Sequence, residues 1–112
     1  MPVDLAADPK LQTILAELRR RFEALYGQRL AKMILYGSQA RGDARRWSDI
    51  DVLVVLKGPV RPSQEVRRTG GIVSGLSLEF DTDIQCLFMD EEHFRHGEEP
   101  LLDDVAREGV EV

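Results

Sequence analysis

The chain has 112 residues, 43% apolar and 31% charged, which is the balance of one folded domain rather than of a disordered segment. Its formal net charge of −5 argues against broad nucleic-acid binding, which needs basic surface to displace counterions. No apolar run approaches the roughly 20 residues that cross a bilayer. Cys86 is the only cysteine and excludes an internal disulfide, so the expectation is a single cytoplasmic domain over residues 1–112 without a secretory signal in "MPVDLAADPK".

Leu11, Ile14, Leu15, Leu18, Phe22, Leu25 and Tyr26 recur at three- and four-residue steps, which predicts a helix over 11–26. Asp8-Pro9 marks its start and Gly27 its stop. Arg19, Arg20 and Arg21 read as the solvated side of that helix. "AKMILYG" is a short buried strand ending at Gly37, and "SQARGDA" a short helix with Ser38 as its N-cap. "DIDVLVVLKG" is a second strand, closed by Lys57-Gly58-Pro59. A helix is expected from about Ser63, weakened by Gly70, Gly71 and Gly75 at about 1 kcal/mol each relative to alanine. "TDIQCLFM" is a third strand, "DEEHF" a short helix capped by Asp90, and "PLLDDVAREG" a last helix from Pro100 to Gly109. The order α-β-α-β-α-β-α describes an α/β (α+β) domain on a small sheet.

Side chains alternate across a strand, so Asp49 and Asp51 share one face while Ile50 and Val52 share the other. Two carboxylates that close repel unless both stay in water or cations sit between them. Mg²⁺ takes oxygen ligands and commonly binds one or two carboxylates plus substrate phosphate. Two such ions can clamp the attacking and leaving oxygens of a phosphoryl displacement. Gly37-Ser38, where a strand passes into a helix, adds free amides and a hydroxyl aimed at an anion, and Arg41 lies three residues on. An antiparallel pairing of the first two strands brings this phosphate cradle to the carboxylates, and together they describe a nucleotide-triphosphate site.

"GSQARGDARRWSDIDVLVV" resembles the signature of the nucleotidyltransferase superfamily that includes DNA polymerase beta, and most closely that of the minimal nucleotidyltransferases. Gly37, Ser38, Arg41, Gly42, Ser48, Asp49 and Asp51 stand at its positions, and "EEPLLDDVAREGVEV" is similar to the closing segment of many small members. The resemblance implies a mixed sheet with helices on one face. It implies transfer of a nucleoside monophosphate, AMP from Mg-ATP, to a hydroxyl, with Gly37, Ser38, Arg41 and Ser48 on the nucleotide and Asp49 and Asp51 on two Mg²⁺ ions. Catalytic members carry a third carboxylate on a neighbouring strand, as metal ligand and base. "FDTDIQCLF" offers Asp81 and Asp83; Asp83 falls inside the proposed strand and Asp81 in the turn before it, so Asp83 is preferred.

His93 and His96 read as exposed or capping histidines rather than a zinc pair. Asp43 either orients Arg41 or balances Arg45 and Arg46, and Trp47 either covers the sheet edge or stacks on a base. The chain is too short to hold an acceptor by itself. The resemblance implies a partner, a helical HEPN-domain protein that is the toxin of a toxin–antitoxin pair and receives AMP on a tyrosine; assembly with further copies of this chain is left open. The alternative is a non-catalytic module that binds nucleotide or neutralises a partner by contact.

Overall fold

A computed structural model describes residues 8–41 and 49–112. The first helix, α1, runs from Pro9 to Tyr26. Asp8 caps it, its Oδ1 accepting the Leu11 N–H at 3.0 Å, and Gly27 ends it at φ +57°. Leu11, Ile14, Leu15, Leu18, Phe22 and Tyr26 are buried along one stripe, while Leu25 is exposed. The arginine run is mostly solvated: Glu17 pairs with Arg20 and Arg21, and Arg19 pairs with Glu23 and also donates to the Val112 carbonyl.

Among the described residues four strands form one mixed sheet. They are β1 (Leu30–Tyr36), β2 (Ile50–Leu56), β3 (Ile84–Asp90) and the two-residue β4 (Val110–Glu111), in the order β3-β2-β1-β4. The sequence reading lacked β4; two residues carry no alternation to detect. β1 and β2 are antiparallel, with Tyr36 opposite Asp51, and β2 and β3 are parallel, with Asp51 opposite Gln85. The short helix α2 (Gly37–Arg41) follows β1 directly. It starts one residue earlier than expected, so Ser38 lies in its first turn and not at the cap. Ala40 anchors α2 in the core.

A parallel pair needs a long crossover, and α3 (Pro62–Glu79) supplies it between β2 and β3. The helix continues through Gly70, Gly71 and Gly75, beside which there is open space, because Thr69, Ile72, Val73 and Leu76 pack inward. The helices α4 (Glu91–His96) and α5 (Pro100–Glu108) precede β4. Asp90 caps α4 by accepting the His93 N–H at 2.7 Å. Ile50, Val52, Val54 and Leu56 face the main core with α1 and α3. Leu53 and Val55 face a second, smaller core with Phe94, Leu102 and Val105. Helices therefore cover both faces of the sheet, where the resemblance implied one; β2 is apolar on both sides of its alternation and needs cover on both. Among the described residues no helix is long and apolar enough to cross a membrane.

One buried polar pair was not foreseen. Glu65, on α3, is 3% exposed and accepts the Tyr26 hydroxyl at 2.7 Å, with the Arg68 guanidinium 3.7 Å away. Burial first, and then the Glu65 carboxylate, push the Tyr26 phenol well above its ordinary value. Tyr26→Phe leaves that carboxylate short of a partner, so the fold is expected to lose about 1–3 kcal/mol. An unchanged urea midpoint would show that the pair does not clamp α1 to α3.

Candidate functional site

Asp49 immediately precedes β2 and Asp83 immediately precedes β3. Ile50 pairs with Ile84, and the Ile50 N–H donates to the Asp83 carbonyl at 2.8 Å, so the residues before them sit side by side. Asp83 thus lies one position outside the strand, at the end of its ladder, and not within it as the sequence reading had it. Asp81 is in the preceding turn at φ +49°. Asp49 and Asp83, at the ends of two paired strands, and Asp51 and Gln85, within them, follow one alternation and form a four-residue patch on the sheet face away from the main core.

Gln85 is the member the sequence reading missed, although it stands two residues after Asp83, on the same alternation. Its Nε2 donates to Asp49 Oδ2 at 3.1 Å and to Asp83 Oδ2 at 3.2 Å. Among the described residues no three histidine, cysteine, aspartate or glutamate side chains converge as they stand into a metal cage. The amide of Gln85 fills the gap between two of the carboxylates. The donors available are hard oxygens, two on exposed side chains and one on the half-buried Asp51, the set that suits a Mg²⁺-like ion once the amide withdraws.

Asp51 is the half-buried member. Burial, then Asp49, then Asp83, raise its carboxyl above the ordinary value. On the next strand Tyr36 faces Asp51, and burial followed by the Asp51 charge pushes its phenol up to about 12. Burial also takes the Cys86 thiol up to about 12, with a further contribution from Asp51. Gly37 stands at φ +76°, and a Cβ built on it would lie 2.8 Å from Asp51 Oδ2. The glycine turn into α2 and the carboxylate patch are therefore in contact. Ser38 and Arg41 belong to α2, while Gly42, Asp43, Arg45, Arg46, Trp47 and Ser48 lie outside the described residues.

A groove of about 570 Å³ between α3 and β3 opens beside Asp83 and Gln85. Val73, Ser74, Ser77 and Phe88 line it, and among the described residues no basic side chain does. His93 and His96, both exposed, lie elsewhere, on α4, with His93 Nε2 2.6 Å from Glu99.

The raised Asp51 carboxyl has a consequence for stability. The folded chain holds that proton more tightly than the unfolded chain, so stability falls as pH rises through a window opening near the ordinary value of 3.8 and closing at the raised folded value. Above that window the penalty is complete. Without metal, Asp51→Asn is expected to melt higher than the wild type at pH 7, and the gain should vanish below the ordinary aspartate value. A gain that persists in acid would assign the effect to packing.

Residues 15–108 match the family described as "Nucleotidyltransferase domain". The chain is 30% identical over 99 residues to "Putative protein adenylyltransferase MJ0141" of Methanocaldococcus jannaschii, covering 88% of this chain and 95% of that one. A second protein of that organism, "Putative protein adenylyltransferase MJ1305", is 43% identical over 47 residues, which are 42% of this chain and 32% of its own. Among solved structures, one described as a toxin-antitoxin with AMP-PNP aligns at a TM-score of 0.59 and 19% identity, covering 84% of this chain and 68% of that one. A mutant of the toxin-antitoxin MntA-HpeT aligns at 0.58 and 20% identity, covering 90% and 69%. At such identities these two establish the shared fold.

Proposed function

Because this chain belongs to the nucleotidyltransferase domain family, we propose that it transfers AMP from Mg-ATP to a hydroxyl of a protein, as the antitoxin of a toxin–antitoxin pair. The adenylyl group and the protein acceptor rest on the names of the Methanocaldococcus relatives. The antitoxin role rests on the toxin–antitoxin structures that share the fold. The acceptor in this reading is a tyrosine of a helical HEPN-domain partner, as the sequence resemblance implies, and the compartment is the cytoplasm. Residues 1–112 act as one domain.

The observation that carries the reading is the carboxylate patch beside the glycine turn. Asp51 sits within contact reach of the Gly37 backbone, and Asp49 and Asp83 flank one gap. Asp49, Asp51 and Asp83 would hold Mg²⁺. When bound, that ion offsets the charge that accumulates on the phosphates during transfer. Gly37, with no Cβ, leaves the triphosphate free to approach the first amides of α2, and Ser38, Arg41 and Ser48 supply a hydroxyl, a guanidinium and a second hydroxyl to it. Asp83, the most accessible of the three to the groove, takes the proton of the attacking hydroxyl. The hydroxyl oxygen bonds to the α-phosphorus, and the bond to the leaving pyrophosphate breaks. A groove lined, among the described residues, by apolar and hydroxyl side chains such as Val73, Ser74, Ser77 and Phe88 suits an uncharged acceptor side chain.

Incubation with α-labelled ATP and Mg²⁺, with and without a HEPN-domain partner protein, tests this. Label is expected on the partner, lost with EDTA and after treatment with a phosphodiesterase. Titration calorimetry should likewise show that ATP binding is lost in EDTA, because without the ion carboxylate would face phosphate. Neutralisation of the partner without any label would favour the non-catalytic module.

A further inference from the structure

We propose that Gln85 is a positioning residue that stands in for a cation in the ion-free site and competes with one for Asp49 and Asp83. The role rests on the metal-site reading above and extends it to a residue outside the carboxylate set.

The geometry is specific. The side-chain NH₂ of Gln85 has two hydrogens, and it stands 3.1 Å from an oxygen of Asp49 and 3.2 Å from an oxygen of Asp83. Both neighbours are acceptors, so only the nitrogen end of the amide fits between them. That end carries the partial positive charge of the group. It occupies the gap between two like charges that the parallel register forces together. Asp51, the third charge of the patch, lies directly opposite Gln85 on β2.

Asp49 and Asp83 cannot both face an ion in that gap while the same oxygens accept from Gln85. The amide has to release them first. Gln85 therefore holds the carboxylates together when no ion is bound and holds down the affinity of the empty site for a free divalent cation. Its own side chain is exposed on an edge strand, where it can swing away without disturbing the core.

Mn²⁺ titration of the nucleotide-free protein, followed by calorimetry and by the resonance signal of free Mn²⁺, tests the role. Gln85→Met keeps the length of the side chain and removes its donors, so Mn²⁺ should bind about three- to tenfold more tightly than in the wild type. Gln85→Lys places a full charge in the gap, so Mn²⁺ should bind about tenfold more weakly or worse. In metal-free buffer the order of melting temperature should reverse, with Q85K above the wild type and Q85M below it. General damage to the fold would not tighten metal binding in one variant and loosen it in the other. If the wild type binds Mn²⁺ and Q85M binds it equally or more weakly, the competing role is overturned. If none of the three chains binds Mn²⁺, the metal-site reading itself falls, and this role with it.

Discussion

Gly37→Ala should cost about 1–2 kcal/mol of stability from the left-handed backbone alone, and should cost far more in catalysis. The φ of +76° is a conformation that alanine adopts only under strain. The new methyl would also lie 2.8 Å from Asp51 Oδ2 and 3.6 Å from its Cγ. That clash is with the tip of a short side chain, so it can be relieved by turning Asp51 rather than by breaking the fold. Relief moves the half-buried carboxylate of the patch away from its place, and a misplacement on the order of 1 Å can lower a rate about a hundredfold. The measurement pairs urea unfolding with the rate of label transfer. A destabilised chain that still transfers at the wild-type rate would show that the placement of Asp51 against the turn is not needed.

Asp83→Asn is expected to lower transfer by about 10²–10⁴-fold, the range assigned to a lost general base. The amide keeps the shape of the side chain but cannot accept the proton of the attacking hydroxyl, and it offers a weaker ligand. Nucleotide binding should survive better than turnover, because Asp49 and Asp51 remain. The Asp83 carbonyl still receives the Ile50 N–H, so the ladder and the fold should persist. Asp81→Asn is the control. Asp81 sits in the turn at φ +49°, a conformation asparagine tolerates well, so little should change. Loss of transfer in the Asp81 variant with retention in the Asp83 variant would reverse the assignment. Full transfer in both would remove the third carboxylate from the mechanism.

The local features were written in neighbouring residues. The stripe from Leu11 to Tyr26, the Asp8 cap and the Asp90 cap each depend on residues within one helical turn. So does the shared face of Asp49 and Asp51, since alternation is a property of the extended backbone itself. The glycine turn at Gly37 was legible for the same reason: a strand running into a helix there leaves few residues that fit.

What neighbours could not decide was which strands pair, and in which register. Asp83 meets Asp49 only because β3 joins β2 in parallel with Ile84 opposite Ile50, across the long α3 crossover. Gln85 shares an alternation with Asp83 two residues before it, but its second acceptor, Asp49, comes to it only through that register. The buried Glu65 is similar: a glutamate in the first turn of a helix reads as solvated, and only the packing of α3 on α1 brings it the Tyr26 hydroxyl. The second core and β4 also needed the closing helix to return to the sheet. Helix and strand periods arise from backbone geometry a few residues at a time. Partner choice in a sheet is set by the summed burial of faces far apart in the chain.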